Sequence, residues 1–112
     1  KKKWNDFEKI ILKFKASNIR TIVVIIPSIF QIDEIQKKAL MSSRPNNNYD
    51  IMYPLKRLEK ILQRNNIEYL NLTNPLKMEN KKNTLIYKTE SHFNRNANYI
   101  IANEIKAFLK IF

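Results

Sequence analysis

The one histidine of the chain, His92, follows a carboxylate, Glu90, by two residues and precedes Asn94 by two. An imidazole changes charge near neutral pH and can take a proton from a hydroxyl or a water. A carboxylate on its second nitrogen fixes the tautomer and supports the cation that forms. In an extended or turning segment, residues two apart project to the same side, so Glu90 can reach the His92 ring. The pair reads as the acid–base half of a site. The competing reading is a loop histidine beside an unrelated glutamate.

Partners for that pair are harder to find. Ser28 follows a strand end at Pro27, and open α/β sheets keep their sites at such ends. A cap or turn role is the simpler account of it. Ser91 lies between Glu90 and His92 and would point away from both, and Ser42 and Ser43 fall in a loop. No oxyanion donors accompany any of these serines, although such donors usually supply a large share of catalysis. Metal binding is not expected. Zinc takes three or four protein ligands, no second histidine or any cysteine exists, and nothing in the sequence gathers Asp6, Asp33 and Asp50.

The elements that must position His92 are legible as hydrophobic periodicity. Trp4, Phe7, Ile10, Ile11 and Phe14 fall at helical spacing over residues 4–16, with Asn18 as a C-cap in place of glycine. Residues 21–26 form a continuous β-branched run stopped by Pro27, as expected of a strand buried on both faces. A helix is predicted over 33–41, a loop over 42–48, and a helix over 54–62 with Pro54 in its first turn. A second strand is predicted over 67–72, stopped by Asn74-Pro75. A polar connection over 76–83 and a short extended piece over 84–87 follow. The clearest helix runs from an Asn94 N-cap to Phe112 through Ala97, Ile100, Ile101, Ile105, Phe108 and Leu109. Strands alternating with helices predict an α/β fold around a mostly parallel sheet.

Composition narrows the function classes. Glycine is absent, against about 7% in average usage. That removes any Gly-rich phosphate loop, dinucleotide fingerprint or GxSxG elbow from these residues. Fifteen asparagines are available for left-handed turn positions. Without cysteine there is neither disulfide nor thiolate metal site. The longest apolar run, 22–27, is far too short to span a membrane, and Lys1-Lys2-Lys3 does not lead into a signal-type apolar region. The net charge of +11 invites a nucleic-acid or anionic-membrane reading. The lysines are scattered, however, and no basic stripe interleaved with aromatics stands out along the sequence. The wealth of lysine, asparagine and isoleucine is what an AT-rich genome produces, so nucleic acid is not an expected partner.

The block Tyr87-Lys88-Thr89-Glu90-Ser91-His92-Phe93-Asn94, with Ala97 leading into an apolar helix, resembles the last conserved block of SGNH (GDSL-like) hydrolases. It is similar to the branch whose ending reads Y-x-x-D-x-H-[WF]-N-x-x-G. Upstream, the strand ending Ile25-Ile26-Pro27-Ser28, the helix 54–62 and the segment 65–72 agree in order, so the resemblance spans about residues 20–112. It implies a flavodoxin-like three-layer α/β/α fold. It also implies ester hydrolysis or acyl transfer through a serine acyl-enzyme without a cofactor. His92 would be the general base and Glu90, in place of the family's aspartate, its orienting partner. The implied substrates are small-molecule or carbohydrate esters, O-acetyl groups among them. The family's Gly-Asp-Ser nucleophile block and its oxyanion glycine are absent, and Ala97 stands where the terminal block has glycine.

Residues 1–112 are therefore expected to be a single domain or the C-terminal part of one such domain. The nucleophile would come from a missing N-terminal half or a partner chain. A narrow sheet needing more neighbours, and a start at Lys1 without methionine, point the same way. The alternatives are a non-catalytic α/β binding module or degenerate relative and, further off, a basic nucleic-acid-binding domain.

Overall fold

A computed structural model describes residues 2–44, 50–86 and 92–110. Six helices and a two-stranded parallel sheet make up the described part, a mixed α/β arrangement. In chain order they are α1 (Lys2–Lys15), β1 (Ile22–Ile25), α2 (Ile29–Ile32), α3 (Glu34–Ser42) and α4 (Tyr53–Arg64). β2 (Glu68–Asn71), α5 (Thr73–Lys82) and α6 (Arg95–Leu109) complete the set. No described helix is long and apolar enough to cross a membrane.

The strands run parallel in a register that sets Ile22 against Glu68 and Ile25 against Asn71. Because side chains alternate along a strand, successive residues feed two separate cores. Val23, Ile25 and Tyr69 join Phe7 and Ile11 of α1 and Leu55, Leu58 and Leu62 of α4. Val24 and Leu70 join Ile32 of α2, Leu72, Leu76 of α5, Leu85, and Ala97, Ile100 and Ile101 of α6. Leu62, Leu72, Leu76 and Leu85 are fully buried. Truncating a leucine so placed costs about 2–5 kcal/mol.

Asparagine takes over the work of the missing glycine. Asn18 (φ 61°), beyond the end of α1, and Asn66 (φ 54°), beyond the end of α4, both adopt left-handed backbone. Asn tolerates this conformation better than other non-glycine residues. Lys110 closes α6 in the same conformation.

Three departures from the sequence-based expectations have physical causes. β2 ends at Asn71, ahead of Asn74-Pro75, and the chain passes directly into α5, where Pro75 is the third residue and its missing N–H breaks no helical bond. The polar connection expected over 76–83 is accordingly helical as far as Lys82. The one-turn helix α2 was hidden because four residues are too few to show a period. Residues 45–48 of the expected 42–48 loop, and Tyr49 after it, lie outside the described residues, as do Tyr87 and Phe112.

A polar clasp joins α1 to α4. Arg64 reaches Glu8 with both ends of its guanidinium, Nε lying 2.9 Å from Oε2, and Asn65 Nδ2 donates to the same carboxylate at 2.7 Å. These hydrogen bonds, Arg64's first and Asn65's second, hold the Glu8 carboxyl at about 2 against an ordinary 4.5. A depressed carboxyl stabilises the fold above its unfolded value and loses that contribution on protonation. The clasp should thus be intact above pH about 4.5 and released as pH falls towards 2. Carboxyl-detected NMR should find Glu8 titrating near 2, and Arg64→Met should return it towards the ordinary value. An unshifted Glu8 in the parent protein would mean that the clasp does not form in solution.

Candidate functional site

The carboxyl ends of β1 and β2 form one rim. β1 leads through Ile26 and buried Pro27 to Ser28, the N-cap residue of α2. The Ser28 N–H donates to Gln31 Oε1 at 2.7 Å, and Gln31 in turn donates to the Ile51 carbonyl at 2.9 Å. Ser28 thus takes the capping role that was the simpler account of it. β2 leads to Asn71, whose Oδ1 accepts from the Thr73 N–H at 3.0 Å and its hydroxyl at 2.6 Å, starting α5. Ser43 closes α3, its hydroxyl donating to the Leu40 carbonyl at 2.7 Å. Ser91 lies outside the described residues.

The segment carrying His92 is fixed from both sides. Ile86 and Phe93 form an antiparallel bridge, so the chain leaves and returns at one point. Asn94 then uses every polar group it has on offer. Its N–H donates to the Leu85 carbonyl at 2.8 Å, and its Nδ2 donates to the Thr84 carbonyl at 2.9 Å. Its Oδ1 accepts from the Ala97 N–H at 3.1 Å as the N-cap of α6. Such a cap contributes about 1 kcal/mol. Ala97 is fully buried against Leu72 and Leu85, which fits a small residue at that position. His92 is exposed to solvent directly before this anchored turn.

A second tier of hydrogen bonds holds the anchor. Asn80 Oδ1 accepts from the Leu85 N–H at 2.9 Å, and Asn80 Nδ2 donates to Asp33 Oδ2 at 3.0 Å. The other Asp33 oxygen accepts from the Gln36 N–H at 3.0 Å, capping α3. One chain of polar contacts therefore runs from the α2–α3 junction through α5 to the turn before α6. Its purpose is positional, because a backbone N–H buried at Leu85 must find an acceptor.

Of the two residues predicted to carry chemistry, His92 lies at this anchored turn, and Glu90 lies outside the described residues. Asp33 and Asp50, considered as oxygen ligands, have structural duties. Asp33 caps α3, while Asp50 accepts from the Met52 N–H and pairs with Lys56 Nζ, each at 3.0 Å. Those contacts, the Lys56 hydrogen bond foremost, hold the Asp50 carboxyl below its usual range. Among the described residues no three His, Asp or Glu side chains gather around a point.

Asn80 is the positioning residue that sequence reasoning missed. The signal was present in its spacing. Leu72, Leu76 and Asn80 recur every four residues, the interval of one helical face, so Asn80 follows two fully buried leucines onto the core side. Reading 76–83 as a connection concealed it.

Comparison of the chain with protein-family models, curated proteins and solved structures finds no match.

Removing the Asn80 carboxamide leaves the buried Leu85 N–H without its acceptor, a loss of about 1–3 kcal/mol. Asn80→Ala should lower stability by that amount in urea melts and speed hydrogen exchange at the Leu85 amide. Stability unchanged within error would show that the second tier carries no weight.

Proposed function

We propose that this chain is the C-terminal part of an SGNH-like (GDSL-like) serine esterase or acyltransferase domain, with His92 as general base and Glu90 as its orienting carboxylate. The finer fold under this reading is a flavodoxin-like three-layer α/β/α sandwich, in which β1 and β2 are part of a wider, mostly parallel sheet. The parallel pair, with one hydrophobic core on each face, supports that architecture. The observation that carries the functional reading is the anchored turn. An exposed imidazole stands directly before an Asn-capped, Ala97-packed helix, in the order and spacing of the family's terminal block.

The chemistry follows from the groups. A serine hydroxyl from outside these residues gives its proton to His92 as its oxygen attacks the ester carbonyl. The imidazolium, steadied by the Glu90 carboxylate, returns that proton to the departing alkoxide. Water, or an acceptor alcohol, then gives a proton to the imidazole and attacks the acyl-enzyme, and the imidazolium returns that proton to the departing serine oxygen. Hydrolysis releases the carboxylic acid, and transfer releases the new ester. No cofactor takes part. The substrate class is a small-molecule or carbohydrate ester, O-acetyl groups included.

His92 is exposed, so its removal opens no cavity in the core. In the complete protein, His92→Ala should lower kcat/KM for p-nitrophenyl acetate by about 10²–10⁴-fold, with far-UV circular dichroism confirming that the variant is folded. Glu90→Gln should lower it less, and Glu90→Asp should retain most activity. Full activity in His92→Ala would refute the proposal.

A further inference from the structure

Packing α1 against α4 assembles a feature that is scattered in the sequence. A groove of about 420 Å³ lies between the two helices, lined by Trp4 and Glu8 on one side and by Tyr53, Lys56, Arg57, Lys60 and Arg64 on the other. Small-ligand sites span roughly 300–1,000 Å³, so the groove has room for a small ligand. The α4 residues recur at helical intervals and form one stripe, opposite the face that Leu55, Leu58 and Leu62 turn to the core.

Charge and rings in the groove are arranged in a particular way. The Arg57 guanidinium lies over the Trp4 ring at 5.2 Å from its centroid, and Arg57 Nη1 donates to Tyr53 Oη at 3.2 Å. Phe7 meets Trp4 edge-on at 6.5 Å, backing the indole from α1. A guanidinium held over one ring in this way leaves its outer side for a second planar group. Tyr53 is 52% exposed and offers a ring beside it. Two of the four cations are already matched, Arg64 by Glu8 and Lys56 by Asp50. Among the described residues, Arg57 and Lys60 have no carboxylate partner. The groove is thus short of negative charge where it is rich in flat surface.

From this we infer that the α1–α4 groove binds a nucleotide unit, its base stacked against Arg57 and Tyr53 and its phosphate held by Lys60. Aromatic and guanidinium planes accept any unpaired base, while lysines track the phosphates. A duplex keeps its base faces stacked and out of reach. The +11 net charge draws polyanions to the surface and favours a single strand over a free nucleotide as the source. This binding function is independent of the proposed ester chemistry at His92.

The only tryptophan of the chain, Trp4, sits in the groove and reports on it directly. Its fluorescence should be quenched saturably by a short oligothymidylate, with affinity falling steeply as salt rises. Tyr53→Ala and Lys60→Glu, both at exposed positions, should each weaken binding about fivefold or more. Lys106→Glu on α6, the same change of charge away from the groove, should weaken it far less. Far-UV circular dichroism checks that each variant is folded. Adenosine monophosphate is the second ligand. Tighter binding of the oligomer assigns the site to strands, equal binding assigns it to free nucleotides, and both support nucleotide recognition. Quenching by inorganic phosphate as effective as by either nucleotide ligand would overturn the inference. So would an absence of quenching, or equal losses in Lys60→Glu and Lys106→Glu.

Discussion

Two four-residue strands paired in parallel impose the plan of this molecule. Parallel neighbours cannot be joined by a tight turn, so a crossover must leave the end of β1 and return to the start of β2. Here the crossover runs through α2, α3 and α4. Alternation along the strands sends Val23 and Ile25 to one core and Val24 to the other, so both faces demand cover. α1 and α4 cover one face, and α2, α5 and α6 cover the other. The carboxyl ends of both strands then emerge on one rim, and the turns made there start α2 and α5. Bidentate contact of Arg20 with Glu68, at 2.9 and 2.8 Å, ties the opposite ends together. Both groups are exposed, so this pair sets register more than it adds stability.

Asparagine is the second organising feature. In a chain without glycine it supplies left-handed turns at Asn18 and Asn66. It starts α5 from Asn71 and caps α6 from Asn94. Asn80 fills the acceptor position that the Leu85 amide requires. A carboxamide does all of this because it both donates and accepts and is short enough to reach nearby backbone. The turn before α6 is consequently held by neutral hydrogen bonds. The charges nearby remain with Asp33, which is itself committed to two donors.

Much of this was legible in the residues. The run at 21–26 announced β1, the leucines at 55, 58 and 62 announced α4, and Asn94 announced the start of α6. Each of these signals is local and periodic. What escaped was too short to show a period, hidden behind a proline, or spread too far along the chain. α2 is a single turn, and α5 was masked by a proline that reads as a stop but is tolerated in a first turn. The anchor of the His92 turn joins Asp33, Asn80, Leu85 and Asn94 across more than sixty positions of sequence. The groove joins Trp4 to Tyr53 and Arg57 only once α1 lies on α4. A search for basic residues interleaved with aromatics along the chain could not have found it, because folding does the interleaving.

The two proposed functions rest on separate features. His92 is exposed directly before the Asn94 cap of α6, where the proposed ester chemistry would use it as a proton-transferring group. The groove between α1 and α4 carries planar cations and rings, which suit stacking. In the proposed reaction His92 serves a serine supplied from outside residues 1–112. The most direct measurement is covalent capture of that serine. The complete protein is treated with a serine-directed fluorophosphonate, the rate of labelling is followed, and the adduct is located by peptide mass spectrometry. One adduct is expected, on a serine outside these residues, formed far more slowly in His92→Ala. No adduct, an adduct on Ser28, or a labelling rate indifferent to His92→Ala would contradict the proposed reaction.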